Sequence, residues 1–138
     1  MAYQPKDWDK VPLEWHGMKV KDKDYYWTCF APWIVTNLYN QKVLKALKLP
    51  APKTWKELLD PIYRGSVVTT LPYASGTMHE MVEIILQSMG EKEGWAYLRL
   101  QAAQFDRFST GSTDTTQMVN RGEVPIGLAQ PQMNAMVA

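Results

Sequence analysis

The sequence predicts an α/β fold, a three-layer αβα arrangement with a mainly parallel central sheet, and two observations carry that prediction. Short apolar runs alternate along the chain with stretches of helical periodicity. Two of these junctions also share one build: an apolar run, a cluster of Ser, Gly and Thr, then a helix-like pattern. Strands joined through helices rather than tight turns imply parallel pairing, with helices covering both faces of the sheet.

Taken in order, residues 1–24 are polar, with Pro5, Pro12 and a Lys/Asp run at 21–24, and predict an irregular lead-in. Tyr25–Leu38 is aromatic and β-branched but interrupted at Pro32, which fits two short strands or one bent strand. Val43, Leu44 and Leu47 have helical spacing within 40–47, and Leu49-Pro50-Ala51-Pro52 ends that helix. Thr54 followed three residues later by Glu57 is a capping-box pattern for a short helix over 55–59. A strand is expected over 66–70. A helix over 78–89 follows, with Met78, Met81, Val82, Ile85 and Met89 on one face and Gly90 as its stop. A second helix covers 91–103, with Trp95, Leu98 and Ala102 inward. Strands over 105–108 and 125–129 then flank a helix over 112–120. No internal repeat or low-complexity segment interrupts this pattern.

Composition narrows the function. The 138 residues are 46% apolar and 21% charged, as in a globular domain with a real core. A net charge of +1 gives no electrostatic reason to expect nucleic acid or an anionic membrane as partner. No apolar run approaches the roughly 20 residues that span a bilayer. The first residues, Met1-Ala2-Tyr3-Gln4-Pro5-Lys6-Asp7-Trp8, lack the apolar core of a signal peptide. The single Cys29 lies in an apolar stretch and is expected to be a buried, inert thiol.

The two repeated junctions are the candidate site. The first runs Val67-Val68-Thr69-Thr70-Leu71-Pro72-Tyr73-Ala74-Ser75-Gly76-Thr77, and the second Phe105-Asp106-Arg107-Phe108-Ser109-Thr110-Gly111-Ser112-Thr113. A helix start exposes N–H groups without partners at the positive end of the helix dipole, so an anion is favoured there. One such turn is an ordinary N-cap, in which Ser75, or Ser112 or Thr113, contributes about 1 kcal/mol. Two of them, beyond the carboxyl ends of strands in a parallel sheet, point to a ligand. Catalysis has little support. Ser75 and His79 lie one helical turn apart, but no Gly-x-Ser-x-Gly elbow surrounds the serine. His79 and Glu83 have zinc-ligand spacing without a third ligand, and fit a solvated helix face. No nucleotide-binding glycine motif is present, and no cofactor is implied.

Several segments resemble bacterial ABC-transporter solute-binding proteins, in the group that carries iron(III), phosphonates and polyamines. They are Tyr39-Asn40, Pro52-Lys53-Thr54-Trp55-Lys56-Glu57-Leu58-Leu59-Asp60-Pro61-Ile62-Tyr63-Arg64-Gly65, Ser75-Gly76-Thr77, Gly94-Trp95-Ala96-Tyr97-Leu98, Gly111-Ser112 and Met118-Val119-Asn120-Arg121-Gly122-Glu123-Val124-Pro125-Ile126-Gly127. The resemblance covers roughly residues 25–129. It implies the second lobe of a two-lobed type II periplasmic binding protein, with residues 25–129 as the solute-binding lobe and 130–138 as an outgoing hinge segment toward a missing first lobe. It also implies that Ser75, Gly76 and Thr77, with Gly111, Ser112 and Thr113, hold an anionic small molecule or a metal's accompanying anion. Trp27 and Tyr73 are candidates to line the cleft.

Iron carriers of the group use adjacent tyrosines near the outgoing hinge. Here that region reads Ala129-Gln130-Pro131-Gln132-Met133-Asn134, so direct tyrosinate ligation is disfavoured, and no metal ligands are assigned. The expected partners are the small solute, the first lobe and, for a full-length parent, an ABC permease in the periplasm or outside the cell. An alternative is a self-associating domain with little affinity of its own. It would form a homodimer through uncovered apolar residues such as Trp27, Phe30, Met133, Met136 and Val137. A hydrolase-type enzyme is a distant third.

Overall fold

A computed structural model describes residues 2–29, 31 and 33–133. The chain divides into two compact units, 1–33 and 34–138. In the first, β1 (Glu14–Trp15) and β2 (Met18–Lys19) pair antiparallel across His16 and Gly17. Both turn residues have positive φ, 49° and 80°, as a two-residue hairpin of matching twist requires. Trp8 anchors this unit. Its ring lies 4.9 Å from that of Tyr25, and Lys21 Nζ sits 4.7 Å over it while donating to Trp8 O at 2.8 Å. Cys29 is exposed rather than buried, with Sγ donating to Ala31 O. Of the two short strands or one bent strand expected over 25–38, the described residues form one regular strand, which begins at Val35, and Thr28 makes an isolated bridge to Lys21.

The second unit is built on four strands. They are β3 (Val35–Tyr39), β4 (Val67–Thr70), β5 (Phe105–Ser109) and β6 (Ile126–Pro131), in the order β3-β6-β4-β5. β4 is parallel to both its neighbours and β3 runs antiparallel to β6, so the sheet is mainly parallel as the sequence predicts. Both central strands, β4 and β6, are buried along their whole length.

Helices α1 (Gln41–Ala46), α2 (Gly76–Met89), α3 (Glu91–Ala102) and α4 (Ser112–Arg121) complete the unit. Alternation along β4 separates the two faces. Val67 packs with Met78, Met81 and Ile85 of α2 and with Tyr63, Tyr97, Ile126 and Leu128. Val68 packs on the opposite face with Leu38, Val119 and Val124. The expected helix over 55–59 is a 3-10 turn, Glu57–Leu59; Thr54 Oγ1 accepts from Glu57 N, while the Glu57 carboxylate reaches back to Lys53 N. The half-buried aromatic ring of Trp55 meets Tyr97 edge-on, with centroids 6.4 Å apart.

The inward face of α3 differs from the expectation. Gly94, Tyr97 and Gln101 are buried and Leu98 is partly buried, whereas Trp95 and Ala102 are exposed. Gly94 sets this face, because a Cβ there would come within 2.9 Å of Leu86 Cδ2 and 3.1 Å of Leu86 Cα. Tyr97 Oη donates to Trp55 O at 2.8 Å and accepts from Gln101 Nε2 at 2.9 Å. Glycine and glutamine at two of the buried positions hid this stripe from an apolar count.

Desolvation by burial, with a smaller contribution from Tyr39, raises the Tyr97 phenol above its ordinary value near 10. The folded chain therefore holds this proton more tightly than the unfolded chain. The stabilisation is fully present below the unfolded value and is lost as pH rises toward the folded one. Urea midpoints should consequently fall above pH 10, and Tyr97→Phe should reduce that fall. An unchanged alkaline slope in the variant would show that Tyr97 does not control it.

Candidate functional site

The parallel register of β4 and β5 pairs Thr70 with Ser109, so their carboxyl ends lie side by side. The loop after β4 leads into α2 and the loop after β5 into α4. The two serine- and threonine-rich turns are thus neighbours at one end of the sheet.

Ser75 is the N-cap of α2. Its backbone is extended (φ −144°, ψ 121°), its Oγ accepts from Met78 N at 3.4 Å, and it lies 3.0 Å from Thr77 Oγ1. Gly76 is exposed and Thr77 buried. The amides of Gly76 and Thr77 are unused within the helix, and no acidic residue occupies its first turn. Tyr73 projects from the tip of the preceding turn, 87% exposed.

The second turn is built differently. Gly111, not a serine, is the N-cap of α4, and Ser112 and Thr113 are already helical, partly buried and exposed respectively. Asp114 stands in the first turn and accepts from Thr110 Oγ1, so a carboxylate already faces this dipole. The start of α2 is therefore the more open anion position. Trp27 belongs to the N-terminal unit, where its carbonyl accepts from Asp22 N and its side chain is half exposed. His79 and Glu83 approach to 4.0 Å on the exposed face of α2. Among the described residues, no group of three His, Cys, Asp or Glu could hold a metal ion.

A layer of buried hydroxyls beneath the two turns was not foreseen. Thr70 Oγ1 lies 3.0 Å from Ser109 Oγ and 3.3 Å from Thr115 Oγ1, and Ser109 Oγ lies 2.6 Å from Thr115 Oγ1. Thr116 Oγ1 donates to Gln130 Oε1 at 2.9 Å. Their sequence signal is visible only afterwards. Thr70 and Ser109 are the last residues of β4 and β5, and two threonines, 115 and 116, fall on the inner side of α4.

A groove of about 500 Å³ lined by residues 38–42 with Val119 and Asn120 lies at the other end of the sheet, beyond the carboxyl end of β3. It contains none of the loop residues.

Residues 1–130 match the family model of the bacterial extracellular solute-binding proteins. The chain belongs to that family. Its members are solute-binding proteins, not enzymes.

Among relatives of this solute-binding protein, the phosphoglycerate transport regulatory protein PgtC of Salmonella typhimurium is 33% identical over 94 residues, 68% of this chain and 23% of PgtC. A second Salmonella typhimurium protein bears the provisional name 2-aminoethylphosphonate-binding periplasmic protein. It is 33% identical over 102 residues, 70% of this chain and 28% of its own. The chain thus spans about a quarter of the length of these relatives.

Solved structures share the fold. The periplasmic binding protein P5PA superposes with a TM-score of 0.66 at 24% identity, covering 70% of this chain and 31% of that one. Apo FutA2 from Synechocystis PCC6803 gives 0.65 at 16% identity, over 94% of this chain and 39% of that one.

Proposed function

We propose that this solute-binding lobe takes a small molecule bearing a phosphate or phosphonate group, held first at Ser75, Gly76 and Thr77 and second at Gly111, Ser112 and Thr113. The observation that carries the reading is the pairing of Thr70 with Ser109, which brings two helix starts to one end of a parallel sheet. A tetrahedral anion with several acceptor oxygens can take amides and hydroxyls from both turns, whereas a lone capping serine serves only its own helix. The names of the two Salmonella relatives, one for phosphoglycerate transport and one for 2-aminoethylphosphonate binding, favour the same solute chemistry. Tyr73, on the turn before α2, is the aromatic candidate for the remainder of the solute. In a full-length parent, the first lobe would close the cleft and an ABC permease would accept the solute in the periplasm.

The test is a thermal-shift titration with inorganic phosphate, phosphoglycerate and 2-aminoethylphosphonate, against simple carboxylates and a polyamine. A phosphorus anion at about a hundred times its Kd should stabilise the fold by roughly 2.7 kcal/mol, a rise of several degrees. Ser75→Ala combined with Thr77→Val should weaken that anion at least tenfold. Full affinity in the double variant overturns the assignment, as does stabilisation by carboxylates or polyamine alone.

A further inference from the structure

We propose that Thr70, Ser109 and Thr115 form a buried positioning device that aims the backbone amide at the start of α4 toward the solute. This rests on the reading of the two turns as the solute site. The three side chains come from three elements, the ends of β4 and β5 and the first turns of α4, and all three residues are buried. Each hydroxyl has a single proton to donate. Ser109 spends its own on Gly111 O at 3.0 Å. The 2.6 Å contact between Ser109 and Thr115 is then donated by Thr115. With both of those protons spent, Thr70 donates into the pair, at 3.0 Å from Ser109 or 3.3 Å from Thr115. The chain of donation therefore runs one way, from β4 toward Gly111.

Gly111 O also accepts the amide of Thr115 at 3.2 Å, so this one carbonyl is held from two directions. The peptide joining Gly111 to Ser112 is planar and trans, which places the Ser112 N–H opposite that carbonyl. Fixing the carbonyl in the cluster fixes the amide pointing away from it, out of the end of the helix. Gly111 has no side chain to do this itself, and its N-cap position has no side-chain hydrogen bond. Ser75 caps α2 by accepting an amide with its own side chain, whereas at α4 the buried hydroxyls hold the N-cap carbonyl instead. It also ties the second turn to β4, the strand that carries the first turn.

Thr115→Val keeps the shape and removes the hydroxyl. Two readouts follow in the same protein: hydrogen exchange at the amide of residue 115, which is bonded to the Gly111 carbonyl, and the Kd for inorganic phosphate and 2-aminoethylphosphonate. Expected are exchange at least tenfold faster at that amide, affinity at least tenfold weaker, and recovery of both in Thr115→Ser, which restores the hydroxyl. Wild-type exchange and affinity in a folded Thr115→Val chain overturn the proposal. Thr70→Val tests the same link from β4 should Thr115→Val not fold, and is read by the same outcomes. If the unmodified chain binds none of the phosphorus anions, the solute assignment fails, and the exchange rates alone then decide the positioning claim.

Discussion

Gly127→Ala is expected to lower stability by roughly 1–3 kcal/mol, and Gly127→Val by more. A Cβ at residue 127 would lie 2.9 Å from Val119 Cγ2 and 3.0 Å from Thr115 Cγ2, both on α4. Val119 is confined to one helical rotamer and Thr115 is tied by its hydroxyl to Ser109, so neither can swing aside as a flexible tip would. The helix must move off β6 instead. Because α4 carries Gly111, Ser112 and Thr113, the displacement should weaken solute binding as well as folding. Urea denaturation of Gly127→Ala beside Gly111→Ala separates crowding from the mere loss of a glycine. An added Cβ at 111 meets nothing within 4 Å, and its cost should stay below about 1 kcal/mol. Equal destabilisation at both positions would refute the close-approach explanation.

A contrast of similar size is expected between two adjacent isoleucines of α2. Ile85 is 1% exposed and belongs to the core between α2 and the sheet, whereas Ile84 is 48% exposed. Ile85→Ala removes the same atoms as Ile84→Ala but leaves a cavity against Met81 and its neighbours. It should cost about 2–5 kcal/mol, compared with roughly 0.5 kcal/mol at Ile84. Thermal or urea midpoints of the two variants provide the test. Comparable losses at both would mean that the packing of α2 is not as described.

The strands and helices from β3 onwards were legible where apolar periodicity coincided with a punctuating residue. α1 ends at Ala46 with Lys48 at φ 57°, just before Leu49-Pro50, Gly90 at φ 82° ends α2, and Gly122 at φ 76° caps α4. The face of α3 was not legible, because its contacts use Gly94 against Leu86 and a buried Gln101, neither of which an apolar count registers. Cys29 is exposed because an apolar stretch of sequence is not in itself a packed one. At the candidate site the two turns and their shared end of the sheet could be read from strand–helix alternation. The hydroxyls beneath them could not. Ser109 has the composition of a loop residue, yet it is the last residue of β5 and 3% exposed. Whether a threonine feeds a ligand or a buried cluster depends on which side of the strand it leaves, and only the register of β4 with β5 decides that. Of the apolar residues expected to be uncovered, Trp27 and Met133 are exposed, while Phe30, Met136 and Val137 lie outside the described residues.

The antiparallel entry of β3 gives the α/β unit an unusual portability. Val35, where its first strand begins, is the register partner of Pro131, where its last strand ends. Directly paired residues in an antiparallel ladder are about 4.5–5.5 Å apart. The whole stretch between them could therefore be spliced into a surface turn of an unrelated host protein while barely spreading the host's own backbone. Both splice points lie at the carboxyl end of β6, the end of the sheet where the two serine- and threonine-rich turns emerge. A fluorescent or enzymatic host joined there would sit next to the proposed solute site, which would make this unit a cassette for a solute-responsive reporter.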